Sequence, residues 1–508
     1  MNYYGPEAIR KAEEFLLGLG IPERLLMENA GVRSADCILS EYPSPSSAVV
    51  LAGPGKNGGD GFVVARLLAR AGWSVHVFCS CLKDSYVGLC GENRDMALLA
   101  GVPVVSSQER SDEEIAQTIR SSRLVVDALL GIGSRGEPKG EVARLIGLAS
   151  CAPSIISLDI PSGVDPRTGA IPGRLIAAAM TLTMIAPKSG LALSPGRGAA
   201  GLVRTVDIGY PLPEGMEPLF SRFTDEEARA TLPCFEGAIN KRTRGGMAVV
   251  GGSANYQGAP VLALRGFFRS GGGLGFLFSD ETVCSACSVL LPEAIQASGL
   301  FSWTDGELVA ALDEWGPKID TLVLGPGLGR SPRAGAIVSL LWHRWPKRLI
   351  VDGDGLYWLG VLEDGLPRRH DVLLTPHEGE AAHLLRRSAD EVRNDRPSCL
   401  RSLAERWGVV LLKGPETLVD DGTKTVVVIE GDRTLAVPGS GDVLSGMIAA
   451  FSSAGQSLFS SACLGASIHG RAGCLVSKRI GQDGVLASEI ADAVPEALRR
   501  LRSSRERE

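Results

Sequence analysis

The stretch VPGSGDVLSG, residues 437–446, decides how the second half of this chain is read, because it joins an extended β-rich run to the apolar periodic segment 443–451. Gly439, Ser440 and Gly441 can present several backbone N–H groups at a helix N-terminus, where unpaired donors and the helix dipole favour an anion. Asp442, at the start of that helix, stands close enough to take a proton from a hydroxyl that attacks a bound phosphate. The same residues also describe an ordinary glycine turn with Asp in a first helical turn. The rest of the chain has to separate the two.

Upstream of that stretch, four apolar strand-like runs each end in glycine or polar residues: LVLGPGLGRS (322–331), RLIVDGDGL (348–356), DVLLTPHEGE (371–380) and VVLLKGPETLV (409–419). A fifth segment, 244–275, reads as strand, Gly-rich loop and helix. This is a wound α/β domain with its polar ends on one rim. His377 follows Thr-Pro in a strand-end turn, where it can face a ligand or cap a helix starting near Glu378. Asp352 and Asp354 are either turn carboxylates or partners for Mg²⁺.

The Pro-rich stretch YPLPEGMEP (210–218) separates this series from an earlier one. Two helices, 1–20 and 24–39, lead through EYPSPSS to the strand AVVLAGPG and a helix over 62–71. Strands at 75–79, RLVVDALLG, SIISLDIPSG, TLTMIA and VRTVDIG follow, with helices near 93–100 and 113–119 between them. Such alternation predicts a mostly parallel sheet covered on both faces. Three polar turns fall at strand ends: GPGKNGGDG (53–61), DALLGIGSRGEP (127–138) and LDIPSGVDP (158–166). The first reads as a strand, a glycine loop and a helix, although it is neither a GxGxxG fingerprint nor a Walker A loop.

The totals bound the function. At 508 residues the chain exceeds one ordinary core. A net charge of -6 leaves no basic face for a duplex, so no nucleic-acid partner is expected. The run 175–187 is well short of the ~20 residues that span a bilayer, and the N-terminus lacks the order of a signal peptide, so no membrane partner and a cytoplasmic location are expected. The 11 cysteines are scattered; Cys284 and Cys287 have CxxC spacing without a second pair or nearby His to complete a zinc set.

The ordered set LLMENAG, NGGDG, VVDALLGIG, SLDIPSG and MIAPKSG resembles the NAD(P)HX epimerase domain, covering roughly residues 1–214. The resemblance implies a Rossmann-like three-layer αβα fold that interconverts the R and S forms of hydrated NADH and NADPH. In those terms Asn57, Asp127 and Ser162 ligate a potassium ion. Lys56, Asn57, Gly58, Gly59 and Asp60, with Gly131, Ile132, Gly133, Ser134, Arg135, Gly136 and Glu137, hold the nucleotide, and Asp159 is the carboxylate at the hydrated ring. Inverting a carbon that carries a hydroxyl beside a ring nitrogen needs a proton acceptor and donor, which suits an aspartate. The family usually has Asn where this chain has Lys56. An ammonium there pairs with a substrate phosphate or weakens cation binding, and a weaker potassium dependence is the expectation.

The second series resembles the ADP- or ATP-dependent NAD(P)HX dehydratase domain, with a ribokinase-like α/β fold over residues 220–508. The two in this order resemble the bifunctional repair enzymes. The resemblance implies phosphorylation of the ring hydroxyl of the S-hydrate, with magnesium and ADP or ATP as phosphoryl donor, and then phosphate elimination. Ala259, Gly327, His377 and Asp442 would touch the hydrate; Lys413, Gly414, Pro415, Glu416, Thr417 and Gly441 would touch the nucleotide; Asp442 would be the base. Asn240 with Lys241, VDGDGL, Pro438 and EGDRT (430–434) depart from the usual pattern. Pro438 has no N–H to offer a phosphate. A homo-oligomer is expected. The alternative is a ribokinase-like small-molecule kinase fused to a non-catalytic nucleotide-binding module.

Overall fold

The computed structural model describes residues 1–235, 237 and 239–503; the end of the basic tail, 504–508, lies outside them. The chain divides into two compact units, Asn2–Phe220 and Ser221–Glu508.

In the first unit a two-residue strand, β1 (Asn2–Tyr3), precedes β2 (Ser47–Ala52), β3 (Ser74–Cys79), β4 (Val104–Ser106), β5 (Leu124–Ala128), β6 (Ile155–Leu158), β7 (Met180–Met184) and β8 (Leu202–Val206). Strands β2 to β8 form one sheet in the order β4-β3-β2-β5-β6-β7-β8, every pair parallel. Period-two alternation fills both faces. Ala48, Val50 and Ala52 join one apolar core, with Ile38 and Phe62 from flanking helices. Val49 and Leu51 join the other, with Ile115, Ile119 and Leu145. The result is the expected three-layer Rossmann-like fold. Strand order reverses between β2 and β5, and the crevice at such a switch point is where α/β sheets bind ligands.

One expectation fails here. The segment NGGDG is not a loop: the helix expected over 62–71 is Lys56–Arg70 and contains it. Its glycines are there for packing. A Cβ on Gly58 would lie 1.8 Å from the Gly53 carbonyl oxygen, one on Gly59 would lie 2.5 Å from Met27 Sδ, and one on Gly61 would lie 2.6 Å from Ala128 Cβ. Close helix-to-strand contact thus overrides the poor helix propensity of glycine. The helix Gly140–Ala149 carries no signal that was read from the sequence.

The second unit contains β9 (Phe220–Arg222), β10 (Gly246–Val250), β11 (Leu274–Ser279), β12 (Ile295–Ser298), β13 (Thr321–Leu324), β14 (Arg348–Val351), β15 (Val372–Leu374), β16 (Val409–Leu412), β17 (Thr417–Asp420) and β18 (Thr425–Val428). Their order is β9-β18-β17-β16-β15-β14-β13-β10-β11-β12. Strands β10 to β16 are parallel, while β17 runs antiparallel to β16 and β18. This is the expected ribokinase-like α/β architecture, and its switch point lies between β10 and β13. The helix Ser440–Ser453 is buried along most of its length and packs on the helix Gly258–Arg269. Gly446 and Gly266 make that crossing possible: a Cβ on Gly446 would sit 1.7 Å from the Ala263 carbonyl oxygen, and one on Gly266 would sit 2.3 Å from that of Val443. Backbone contact on this scale fixes where the N-terminus of the helix points. Cys284 and Cys287 are buried in the same core, and burial pushes both thiols up to about 11. They pack as small apolar groups.

Candidate active sites

At the switch point of the first unit the turns after β2 and β5 and the ends of β6 and β7 line a cleft of about 630 Å³. Asp159 forms its floor in a left-handed conformation, φ 67°, and Ile185 beside it has the same φ. For non-glycine residues this is strain of ~1–3 kcal/mol each, a mark of functional positions. Asp159 Oδ2 accepts from the Ile132 amide at 3.3 Å, and Oδ1 accepts from Lys188. Lys188 is 1% exposed and also donates to Thr183 Oγ1 (3.0 Å) and the Met184 carbonyl (2.7 Å), so all three ammonium donors are satisfied. Asp60, from the first turns of the helix Lys56–Arg70, lines the same cleft. Burial, then the Asp159 and Glu13 carboxylates, push its pKa well above the usual carboxylate range.

Asn57, Asp127 and Ser162 come together beneath this cleft. Asp127 is fully buried and accepts from the Ser162 hydroxyl (2.6 Å) and amide (2.9 Å), the Ser157 hydroxyl (2.8 Å) and the Leu129 amide (3.2 Å); burial raises its pKa. Asn57 Nδ2 donates to the Leu130 and Leu158 carbonyls at 2.8 and 3.1 Å, and the Leu130 amide donates to Ser162 Oγ at 3.0 Å. Asn57 Oδ1 is buried without a hydrogen-bond partner. A buried, unpartnered amide oxygen, on a side chain that Leu130 links to the Ser162–Asp127 pair, is the kind of group a hard cation takes.

Gly131, Ile132, Gly133 and Ser134 line the cleft with Lys56, and a Cβ on Gly131 would lie 3.3 Å from Asn57 Cβ and 3.4 Å from Asp159 Oδ2. Gly58 and Gly59 pack inward, and Arg135, Gly136 and Glu137 lie exposed further along their loop. Lys56 bonds Glu23 at 2.8 Å and Glu13 at 3.1 Å. Burial lowers its pKa, but these two carboxylates outweigh burial and raise it. An ammonium between two carboxylates brings no surplus positive charge to the cleft.

In the second unit the opening stretch folds in two parts. Val437, Pro438, Gly439 and Ser440 form a turn in which the Ser440 amide donates to the Val437 carbonyl at 3.2 Å, with Gly439 at φ 85°, ψ -8°. These are type II turn angles, which favour Pro at the second position and Gly at the third. Pro438 is therefore the turn former, not a missing donor. The helix Ser440–Ser453 then starts with no side-chain cap, so its first-turn amides face outward beside Asp442. Burial, then Asp352, push the Asp442 carboxyl up to about 8; Lys413 opposes this, while Glu380 and Asp354 add to it.

Lys413 Nζ donates to Asp352 Oδ1 at 2.8 Å and lies 4.0 Å from Glu380 Oε2. A Cβ on Gly441 would meet that Nζ at 3.1 Å. Thus Lys413 and Gly441 sit together. Burial lowers the Lys413 pKa, but Asp352 and Glu380 outweigh it and hold the group charged; Glu380 is itself raised by burial. Gly414 packs on Arg396, whose Nη2 donates to the carbonyl of buried Glu416 at 2.7 Å, and Pro415 turns the chain into β17, which Thr417 opens. Ala259 and Gly327 meet across the switch point: a Cβ on Gly327, φ 62°, would lie 3.1 Å from Ala259 Cβ. His377 caps the helix Glu378–Leu385 through Nδ1, which accepts from the Gly379 amide at 3.0 Å, with Nε2 3.6 Å from Glu380 Oε1. Asp354 accepts from the Gly329 amide at 2.8 Å and pairs with Arg330, so it pins the 325–329 turn.

Comparison with known proteins sets these sites in a family. Residues 247–496 match the family described as NAD(P)H-hydrate dehydratase, and residues 23–190 match the one described as YjeF-related protein N-terminus. A Thermanaerovibrio acidaminovorans protein named bifunctional NAD(P)H-hydrate repair enzyme is 37% identical over 500 residues, covering 96% of each chain. The Escherichia coli protein of that name is 32% identical over 96% of this chain and 92% of the relative. The chain belongs to the bifunctional NAD(P)H-hydrate repair enzymes. Among solved structures, the Bacillus subtilis ADP/ATP-dependent NAD(P)H-hydrate dehydratase co-crystallised with ATP and Mg²⁺ is 26% identical, with a TM-score of 0.48, over 56% of this chain and 99% of that one.

Two polar residues within these family sites were not singled out from the sequence. Lys188 stands inside MIAPKSG, and its signal was a lysine framed by an apolar strand and a Pro/Gly pair, where no solvated lysine belongs. His469 stands in an apolar helix, a pattern shared with any core histidine. No group of three His, Cys, Asp or Glu placed to hold a metal occurs among the described residues, and among them no helix is long and apolar enough to cross a membrane.

Proposed function

We propose that the chain repairs hydrated NADH and NADPH at two chemically distinct sites. The first domain, residues 1–214, epimerises the R and S hydrates. The second, residues 220–508, dehydrates the S form at the expense of ADP or ATP through a phosphorylated intermediate. The observation that carries the second activity is Asp442, a carboxyl at about 8 beside uncapped helix amides and the Lys413 ammonium.

In that step Asp442 takes the proton of the ring hydroxyl as its oxygen attacks the terminal phosphoryl group of the donor, and AMP leaves when the donor is ADP. First-turn amides and Lys413 stabilise the charge that gathers on the phosphoryl oxygens. Loss of phosphate from C6 and of a proton from C5 then restores the dihydronicotinamide. Ala259 and Gly327 leave room for the flat ring, and His377 Nε2 faces it. Gly414, Pro415, Glu416 and Thr417 contribute backbone beside the nucleotide. Magnesium accompanies the nucleotide and neutralises phosphate charge; Asp352 is the carboxylate suited to it, because Lys413 and the Gly353 amide both bond Oδ1 and leave Oδ2 for a cation.

In the first domain Asp159 is the proton acceptor at the ring hydroxyl, and Lys188 keeps its carboxylate aimed. Asn57, Asp127 and Ser162 hold a potassium ion, supported by the orphaned Asn57 Oδ1; the ion would tie three strand-end loops together and offset the buried Asp127 charge. Lys56, Asp60 and the loop 131–137 bind the rest of the nucleotide. The chain works as a homo-oligomer in the cytoplasm, a state that light scattering of the purified protein checks. The deciding experiment supplies hydrated NADH with ADP or ATP and follows dihydronicotinamide absorbance and the two epimers separately. A stable phosphorylated product without regained absorbance would instead mark a kinase.

A further inference from the structure

Behind the Asp442 loop lies a buried imidazole that no step above uses. His469, on the helix Leu458–Ile480, is 6% exposed, and its Nε2 is 3.1 Å from Ser440 Oγ. Ser440 is the first residue of the Asp442 helix and is 5% exposed. We propose that His469 is a positioning residue for dehydration: by holding the Ser440 side chain it sets the Gly441 amide and Asp442 against the phosphoryl group. This rests on reading the 437–442 loop as the phosphoryl site.

A serine in the first helical turn readily bends back onto nearby backbone groups, and such a bond would leave the turn that carries the Gly441 amide and Asp442 without a tether to the core. Here the hydroxyl is drawn into the core instead, and the helix has no side-chain cap. The Val437 turn and the packing of Gly439 on Leu262, where a Cβ would lie 2.4 Å from Cδ1, hold the backbone that leads into the helix. Neither fixes which way the Ser440 hydroxyl turns; the imidazole does. His469 is delivered at the required depth because Gly470 lets its helix lie on the 430–431 backbone, where a Cβ would be 2.3 Å from the Glu430 carbonyl oxygen. Burial and Lys413 hold the imidazole down to about 4, so it serves this bond uncharged.

The test compares H469A, H469Q, S440A and H469A/S440A in the full chain, with hydrated NADH and ADP, measuring dehydration, epimerisation and thermal unfolding. H469A is expected to lower the kcat of dehydration by about 10- to 100-fold, the usual effect of a misplaced reacting group, with KM and epimerisation within about threefold. H469Q, whose amide can still bond the hydroxyl, regains most of the loss, and the double variant is no slower than H469A. Folded H469A with kcat within about twofold of the parent overturns the proposal, as do losses that multiply in the double variant. Should H469A fail to fold, S440A decides: a kcat within about twofold of the parent overturns the proposal, and a larger loss supports it. Dehydration that survives D442N would instead remove the reading of the loop on which the proposal rests.

Discussion

The two units each place an aspartate at the switch point of a parallel sheet, in opposite electrostatic surroundings. Asp159 is fixed by a buried lysine, on a strained backbone, in a preformed cleft. Asp442 is crowded by Asp352, Glu380 and Asp354 with one lysine among them, at a helix end whose donors await a ligand. The first site is complete without its substrate. The second holds its carboxyl up at about 8 among like charges, and under the proposed reading a nucleotide with its cation would restore the balance. The contrast matches the proposed chemistry: epimerisation breaks and remakes one bond at the ring carbon with proton transfer and brings in no new charge, whereas phosphoryl transfer brings several charges with it.

The sharpest way to break this contrast is to remove each carboxylate in turn. D442N should abolish dehydration, a loss of at least ~10²-fold for a general base, and leave epimerisation intact, while D159N should do the reverse; epimer analysis and absorbance recovery on one sample read both. Removing the cation that distinguishes the first site comes next. K188M should cut epimerisation and also destabilise the chain by about 3–5 kcal/mol in urea unfolding, because it strands a mostly buried carboxylate. A pH series tests the second site. Dehydration kcat/KM should rise with pH and level off above about 8, as Asp442 loses its proton. The same shift has a sign for stability. The folded state holds this proton more tightly than the unfolded state, so stability falls as pH climbs from about 4, where free carboxyls ionise, to about 8. D442N should therefore melt ~2–4 °C higher than the parent at neutral pH, the shift that about 1 kcal/mol makes in a domain of this size, and no higher at pH 3. The smallest effect belongs to Lys56. K56N should leave the potassium dependence of epimerisation within about twofold and stability within about 1 kcal/mol, since exposed ion pairs contribute little; a large gain in potassium affinity would show that its charge does reach Asn57.

Much of this was legible from the residues. Strand-end turns announced both rims, because alternating apolar runs that stop at Gly, Asp or Lys have few other places to go. What escaped detection shares a cause. The glycines of NGGDG point to a loop because glycine favours turns, yet Gly53, Met27 and Ala128 crowd that helix from three sides, and this crowding is invisible in one dimension. Asp354 and Asp352 look equivalent in VDGDGL, but helix geometry sends one to the Gly329 amide and the other to Lys413. His377 does cap its helix, as its position before Glu378 allowed. Lys188 and His469 are defined by partners 29 residues away in each case, and nothing local marks such a bond.

The Pro438–Gly439 turn has one more consequence, and it concerns entropy. Proline at the second position fixes in the free chain the φ this turn needs, and glycine at the third takes its positive φ without strain. The loop therefore surrenders little freedom when phosphate binds, and affinity that a floppier glycine run would lose to ordering is retained. In calorimetry, P438G should bind ADP with a more unfavourable entropy while its enthalpy stays close to that of the parent chain.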